Sequence, residues 1–263
     1  MVTLPFTAKR KNKPSPDNMT LGEHLGELRR RVIICVVAYL AAAIVCVFLY
    51  EPILDFLLRP LCNVVATSGP HHSYIVKSGN TCNLFVTSPL DGLSLRVKIA
   101  LFGGLVLASP VILFQLWRFV TPGLKASERR YAIPFVLSSF ALFLAGAATA
   151  YIVLPHALGW LHSVGGPNLQ AIYDPIPYLG LILLMMTIFG LTFEFPVVLV
   201  SLELAHVITP AQLLKWWRWA VIIIVVVAAV FTPSSDPFSM FALAIPLVAF
   251  YFISIAIGKL LGR

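Results

Sequence analysis

The sequence predicts an all-α integral membrane protein: six transmembrane helices, both termini on the cytoplasmic side, and a short amphipathic helix ahead of the first span. Three observations carry this. Of the 263 residues, 59% are hydrophobic and only 11% are charged, where a soluble chain has about 25% charged residues. The apolar residues gather into six runs close to the roughly 20 residues a helix needs to cross the hydrocarbon core. They are not the ten-residue alternating segments of a β-barrel. Finally, Lys and Arg are divided unevenly between alternate connections, as topology signals are.

Residues 1–19 read as a disordered basic tail with Lys9, Arg10, Lys11 and Lys13. In "TLGEHLGELRRRV", Thr20 and Glu23 have capping-box spacing. Leu21, Leu25, Leu28 and Val32 fall on one helical face, so this stretch is expected to lie on the membrane surface and feed span one. That span is Val32–Tyr50, long for a signal-peptide core and with no small-residue cleavage site close behind, so it reads as retained. Its Cys35 and Cys46 read as small apolar residues.

The segment from Glu51 to Leu95 is expected to be a polar outside loop, with "TSGPHHSY" and "KSGNT" as turn signals. Cys62 and Cys82 lie in it. An oxidising exterior predicts a bridge between them, worth about 3 kcal/mol in the loop-entropy account. His71 and His72 have no further ligand pattern around them and read as a solvated turn.

Span two is Ile99–Val120, entered through Arg96 and Lys98, which are expected to snorkel to headgroups. Spans three to six are Ala132–Leu154, Ile176–Leu202, Trp216–Thr232 and Phe238–Ile257. Span five, at 17 residues, covers roughly 25 Å; hydrophobic mismatch then predicts a thinned bilayer beside the "TPSSDP" hairpin. "KWWRW", Lys215 to Trp219, reads as an interfacial anchor. Residues 20–258 thus form one membrane domain, and 259–263 a cytoplasmic C-tail.

The tail through Arg31, the stretch from Arg118 to Arg130, the pair Lys215 and Arg218, and the pair Lys259 and Arg263 hold fifteen of the 19 Lys and Arg. The alternate connections hold Arg59, Lys77, Arg96 and Lys98. This places both termini inside. The net charge of +8 is therefore a topology signal, and the expected partner surface is the lipid bilayer rather than nucleic acid.

Enzyme chemistry finds no footing. The chain has no H-E-x-x-H, no phosphate-binding G-x-x-x-x-G-K-[ST] and no G-x-S-x-G, so neither a metal, a cofactor nor a catalytic residue is expected. The isolated carboxylates are more informative. Glu27 stands three and four residues before Arg30 and Arg31. It is either half of an i,i+4 ion pair worth about 0.3–0.5 kcal/mol or a receiver for an incoming cation. In "LWRFVTPGLKASERR", Pro122-Gly123 breaks the helix and Glu128 follows among basic residues. A basic face with single carboxylates suits a ligand bearing arginines, whose planar fork pairs with carboxylate in two bonds.

"GLTFEFPVV" places Glu194 after a run without charge that begins at Pro175. Either the span ends at Phe193 and Glu194 is interfacial, or it continues through "FPVVLVSL" to Leu202. In the second case Glu194 lies roughly 12 Å inside that end and must face protein or water; Pro196 is tolerated there as a kink. A proton-coupled small-solute transporter using Glu194 is the alternative function.

Four blocks, "HLGELRRR", "SPVILFQLWRFVTPGLKASERR", "FGLTFEFPV" and "TPSSDPFSM", in this order on six spans, resemble the TatC family, the multispanning subunit of the twin-arginine protein translocase. The resemblance covers Leu21 to the end of span six. It implies a receptor for the twin-arginine signal peptides of folded precursors. It further implies an oligomeric complex with TatA- and TatB-like single-span proteins, in the bacterial cytoplasmic membrane, driven by the proton-motive force. Glu27 and Glu128 match the family's signal-binding glutamates. Phe119, Pro122 and Leu124 stand in the same loop block, Glu194 matches the intramembrane glutamate, and Asp236 matches the acidic residue of the last outside hairpin. Thr232, Asp236 and Met240 would form a partner-docking hairpin there. The hairpin is longer than the "TPPD" many relatives carry, and Met240 stands where many have glutamine.

Overall fold

The computed structural model describes residues 21–67, 76–78, 81–83, 88–120, 132–164, 174–233 and 236–260. Its described elements are helices, with one small hairpin: α1 (Leu21–Phe48), α2 (Tyr50–Thr67), β1 (Val76–Ser78), β2 (Thr81–Asn83), α3 (Asp91–Val120), α4 (Ala132–Val164), α5 (Pro175–Thr192), α6 (Phe195–Leu204), α7 (Pro210–Phe231) and α8 (Pro237–Leu260). The strands are antiparallel, with Lys77 opposite Cys82. Six helical stretches are long and apolar enough to cross a membrane, the fourth being α5 and α6 together, Pro175–Leu204. The chain is a multi-pass membrane protein. Large apolar side chains stand exposed along the spans, as on α1 at Val37, Leu40 and Ile44, where only hydrocarbon makes such a surface stable.

The ends of the spans alternate between two faces, here called the starting face, where α1 begins, and the far face. Short polar signals set several helix starts. Asp174 caps α5 by accepting from Ile176 N at 3.0 Å, with Pro175 at the first helical position. Thr209 and Gln212 form a full capping box before α7, with Pro210 in the same place. Proline fits there because its missing N–H has no intrahelical acceptor in any case.

That box corrects the expected start of span five. The helix begins at Pro210 rather than Trp216, and its 22 residues rise roughly 33 Å. Helix length therefore does not require the bilayer thinning expected of a 17-residue span. The basic and aromatic run Lys215–Trp219 lies within α7, its side chains exposed. At the other end of the chain the amphipathic stretch and span one are one continuous helix, and Lys259 belongs to the last turn of α8.

The region expected as a polar loop contains the 18-residue helix α2. Leu57, Leu58 and Leu61 on its inner face are buried in the main core with Leu154, Leu179 and Ile182. Pro60 sits inside α2 and cannot donate to the carbonyl four residues earlier, Phe56. Two tyrosines from other helices meet this opening. Tyr151 of α4 donates to Phe56 O at 2.8 Å, and Tyr178 of α5 donates to Leu57 O at 2.9 Å.

Arg96 and Lys98, expected at the entry to span two, also meet other helices. Because α3 already begins at Asp91, they stand within its second turn, beside the starts of α2 and α5. The Arg96 guanidinium lies 5.0 Å from the centre of the Tyr50 ring. Lys98 Nζ reaches the Ile176 carbonyl at 3.5 Å, so both cations meet protein groups of this chain.

Helix α1 packs closely on α3. A Cβ at Gly104 would lie 2.8 Å from the Ala43 Cα, closer than atoms pack, so the two backbones approach only because glycine is there. Small residues at such contacts are the membrane's usual means of bringing helices together.

Candidate functional site

The starting face carries the first candidate locus. Glu27 stands near the start of α1, its side chain 28% exposed, and pairs through Oε1 with Nη2 of Arg31 one turn later. Arg31 is itself 9% exposed. Its Nη1 donates to the Gln115 carbonyl of α3 at 3.4 Å, and its Nε is buried without a partner. The guanidinium therefore spans α1 and α3, and the ion pair that spacing suggested is formed. Arg29 and Arg30 stay exposed. Glu128, Pro122 and Leu124 lie outside the described residues, as does the side chain of Phe119; only the backbone of Phe119 is described, in the last turn of α3.

Two residues after Gln115, Trp117 turns towards the second locus. The indole is buried, stacks on Phe135 with centroids 4.8 Å apart, and donates from Nε1 to Ser139 Oγ of α4 at 3.0 Å. The Ser139 hydroxyl stands beside the Glu194 carboxyl. Helix α5 ends at Thr192, Phe193 and Glu194 form a turn, and α6 restarts at Phe195. The cause is Pro196, which leaves the Thr192 carbonyl without its usual donor. Glu194 N bonds the nearer Leu191 carbonyl instead, at 3.2 Å. Glu194 thus occupies a joint ten residues before the end of α6, roughly 15 Å of helix inside the span.

One oxygen of that carboxyl, Oε1, is buried without a hydrogen-bond partner. The side chain borders an open groove of about 490 Å³, otherwise lined by Leu191, Phe195 and Val198 of the joint, Ile224 of α7 and Leu247 of α8. Apart from the carboxyl and Thr192 the walls are apolar. Such a groove is suited to an apolar helix or chain that brings one polar group to meet Glu194.

Nine residues on, Glu203 shows a contrasting environment. It is 1% exposed and neither of its oxygens has a hydrogen-bond partner. It wedges against Gly258 and Pro210, and a Cβ at Gly258 would overlap the carboxylate. It faces no described groove, so it reads as a packing element of the α6–α7–α8 junction.

On the far face Thr232 and Asp236 are 3% and 1% exposed. Thr232 bonds back to Ala228 O at 2.9 Å, and Asp236 Oδ1 accepts from Ser239 N at 2.7 Å, opening α8. Their oxygens hold the hairpin in shape. Met240 is partly buried against the core. Cys62, at the end of α2's buried face, is disulfide-bonded, and β2 comes against α2; the Cys82 side chain lies outside the described residues. Among the described residues no group of three or more His, Cys, Asp or Glu gathers at one place, and His71 and His72 lie outside them.

Sequence reasoning found both carboxylates and offered Arg31 as a partner of Glu27, but missed Trp117 and Ser139 as the surroundings of Glu194. The ion-pair spacing was a signal for Arg31. Nothing local announces that Trp117 and Ser139, 22 residues apart, meet across two helices.

Comparison with known proteins gives a consistent result. The family profile for TatC, Sec-independent protein translocase protein, matches residues 23–246. A Sec-independent protein translocase protein TatC from Frankia casuarinae is 41% identical over 97% of this chain and 70% of its own length. The protein of that name from Aquifex aeolicus is 38% identical over 93% of this chain and 97% of its own. A crystal structure of a twin arginine translocase receptor TatC, solved in DDM, superposes with a TM-score of 0.72 at 36% identity, covering 89% of this chain and 99% of that one.

Proposed function

The chain belongs to the TatC family of Sec-independent protein translocase proteins, and from that premise we propose that it is the receptor subunit for twin-arginine signal peptides. Membership also favours this reading over a small-solute transporter built on Glu194. In the proposed arrangement the starting face is cytoplasmic, the membrane is the bacterial cytoplasmic membrane, and residues 20–258 form the membrane domain between short tails. Glu27 and Glu128 receive the two guanidinium groups of the signal, with Phe119, Pro122 and Leu124 shaping the loop around them. TatA- and TatB-like single-span proteins dock on the spans and on the hairpin of Thr232, Asp236 and Met240, and the proton-motive force drives transport of the folded cargo. Cys62 and Cys82 form the bridge of the first outside segment.

The observation that carries this reading is the half-exposed Glu27 carboxylate, held at the face where positive charge concentrates. A carboxylate among arginines is already arranged for guanidinium, and the naming of a solved relative as a receptor points the same way. No catalytic step is required of the chain; it binds and positions. Glu194 is the proposed second station, contacted in its groove by the signal's apolar segment or by a partner helix.

Export of a reporter carrying a twin-arginine signal tests the reading. Glu27→Gln with Glu128→Gln is expected to abolish export while the protein remains inserted in the membrane. Normal crosslinking of the precursor to that double variant would refute the assignment.

A further inference from the structure

We propose that Arg31 is a positioning residue for the signal-peptide site: it holds one oxygen of Glu27 and thereby presents the other to the incoming guanidinium. The inference rests on the assignment of Glu27 as a ligand-binding carboxylate.

The geometry is specific. A carboxylate offers two oxygens and about four acceptor directions. Arg31 takes Oε1 through Nη2 alone. The same guanidinium is tied to α3 through Nη1 and Gln115 O and is nearly enclosed, so it cannot swing out to meet a ligand. Glu27 is the more exposed member of the pair and Arg31 the fixed one. An acid on the first turns of a helix otherwise samples several rotamers; a charge-assisted bond from a fixed donor selects one. The bond leaves the acceptor directions of the second oxygen open. A competing model makes Arg31 a resident occupant that the signal must displace. The burial and the α3 anchor argue against it, since displacement would strand the guanidinium in the helix interface with its charge unpaired.

Lysine does not reproduce this arrangement. An ammonium reaches Glu27 as a point charge, yet it lacks the planar fork that meets Gln115 O and Glu27 at once.

The test uses the full chain, purified in detergent, and a fluorescent twin-arginine signal peptide as the probe, with thermal unfolding monitored in parallel. Arg31→Gln is expected to weaken binding about tenfold, and Arg31→Lys about threefold. In a Glu27→Gln background Arg31→Gln should add nothing further. Unchanged or tighter binding in Arg31→Gln overturns the proposal, the tighter outcome in favour of displacement. An undiminished loss in the Glu27→Gln background also overturns it, because Arg31 would then act without Glu27. If Arg31→Gln does not fold, Arg31→Lys decides: wild-type affinity there sinks the positioning role. Failure of the underlying assignment is separable, since it appears as wild-type affinity in Glu27→Gln alone.

Discussion

Glu27 and Glu194 are both glutamates on membrane-spanning stretches, and they differ in who answers their charge. Glu27 is met by an arginine one turn along its own helix. Among the described residues Glu194 has no cation beside it, and it meets a serine hydroxyl from α4 that is itself held by an indole from α3. The first arrangement is local, charged and open to the starting face. The second is assembled from three helices, neutral apart from the carboxyl, and open to a groove. The difference suggests a division of labour. A carboxylate paired at the open face suits capture of a cation from water, while one with an unbonded buried oxygen within the span suits a late contact that supplies the missing hydrogen bond.

The largest expected effect separates the two sites. Glu27→Gln removes a charge-assisted contact worth about 1.5–3 kcal/mol, so signal-peptide affinity measured by fluorescence anisotropy should fall roughly 10- to 150-fold. Glu194→Gln should leave that affinity within about twofold, on the same scale, yet reduce export of a twin-arginine reporter. If both variants lose affinity equally, the sites are one and the comparison collapses. Normal export by Glu194→Ala would demote Glu194 to a structural residue of the joint.

A smaller effect concerns the frame around Glu194. Trp117→Phe keeps the stack on Phe135 but deletes the N–H that Ser139 accepts. Loss of that buried hydrogen bond should cost about 0.5–1.5 kcal/mol, read as a lowered thermal midpoint in detergent. Signal-peptide affinity should not move, because Arg31 contacts the α3 backbone rather than its side chains. A fall in affinity without a fall in stability would mean that α3 transmits more between the loci than the geometry suggests.

How legible each locus was follows the same division. Spans, the charge asymmetry and the Glu27–Arg31 pair are written in spacing along one helix, and composition and a four-residue interval reveal them. The continuation of span four past Glu194 was legible in "FPVVLVSL", and the break at Thr192 follows from Pro196. The start of α7 was legible too, in "TPAQ", as a capping box with proline in first place; the Trp-rich run that follows drew the boundary six residues too late. Helix α2 was hidden by the turn signals after it, although Ile53, Leu54, Leu57, Leu58 and Leu61 recur at helical spacing. What no local pattern carries is the meeting of Trp117, Ser139 and Glu194, because it depends on the register in which three separate helices pack.

The smallest effect tests whether long-range hydrogen bonds of this kind follow a common rule, and α2 is the place to look. There Pro60 withdraws a donor within the helix, and Tyr151 and Tyr178 supply donors from outside. Tyr178 is 5% exposed, so Tyr178→Phe strands a buried carbonyl and should cost about 1–1.5 kcal/mol. Tyr151→Phe should cost less, about 0.5 kcal/mol, since its bond to Phe56 is at an exposed position and its stack on the Phe56 ring, 4.5 Å between centroids, survives. Restoring the backbone donor with Pro60→Ala lets the Phe56 carbonyl pair within α2, so the cost of Tyr151→Phe should vanish in that background while that of Tyr178→Phe persists. Thermal unfolding of the three single and two double variants reads the cycle. Equal costs for both tyrosines in both backgrounds would show that the hydroxyls act through packing alone, and that a carbonyl opened by proline needs no answer from another helix.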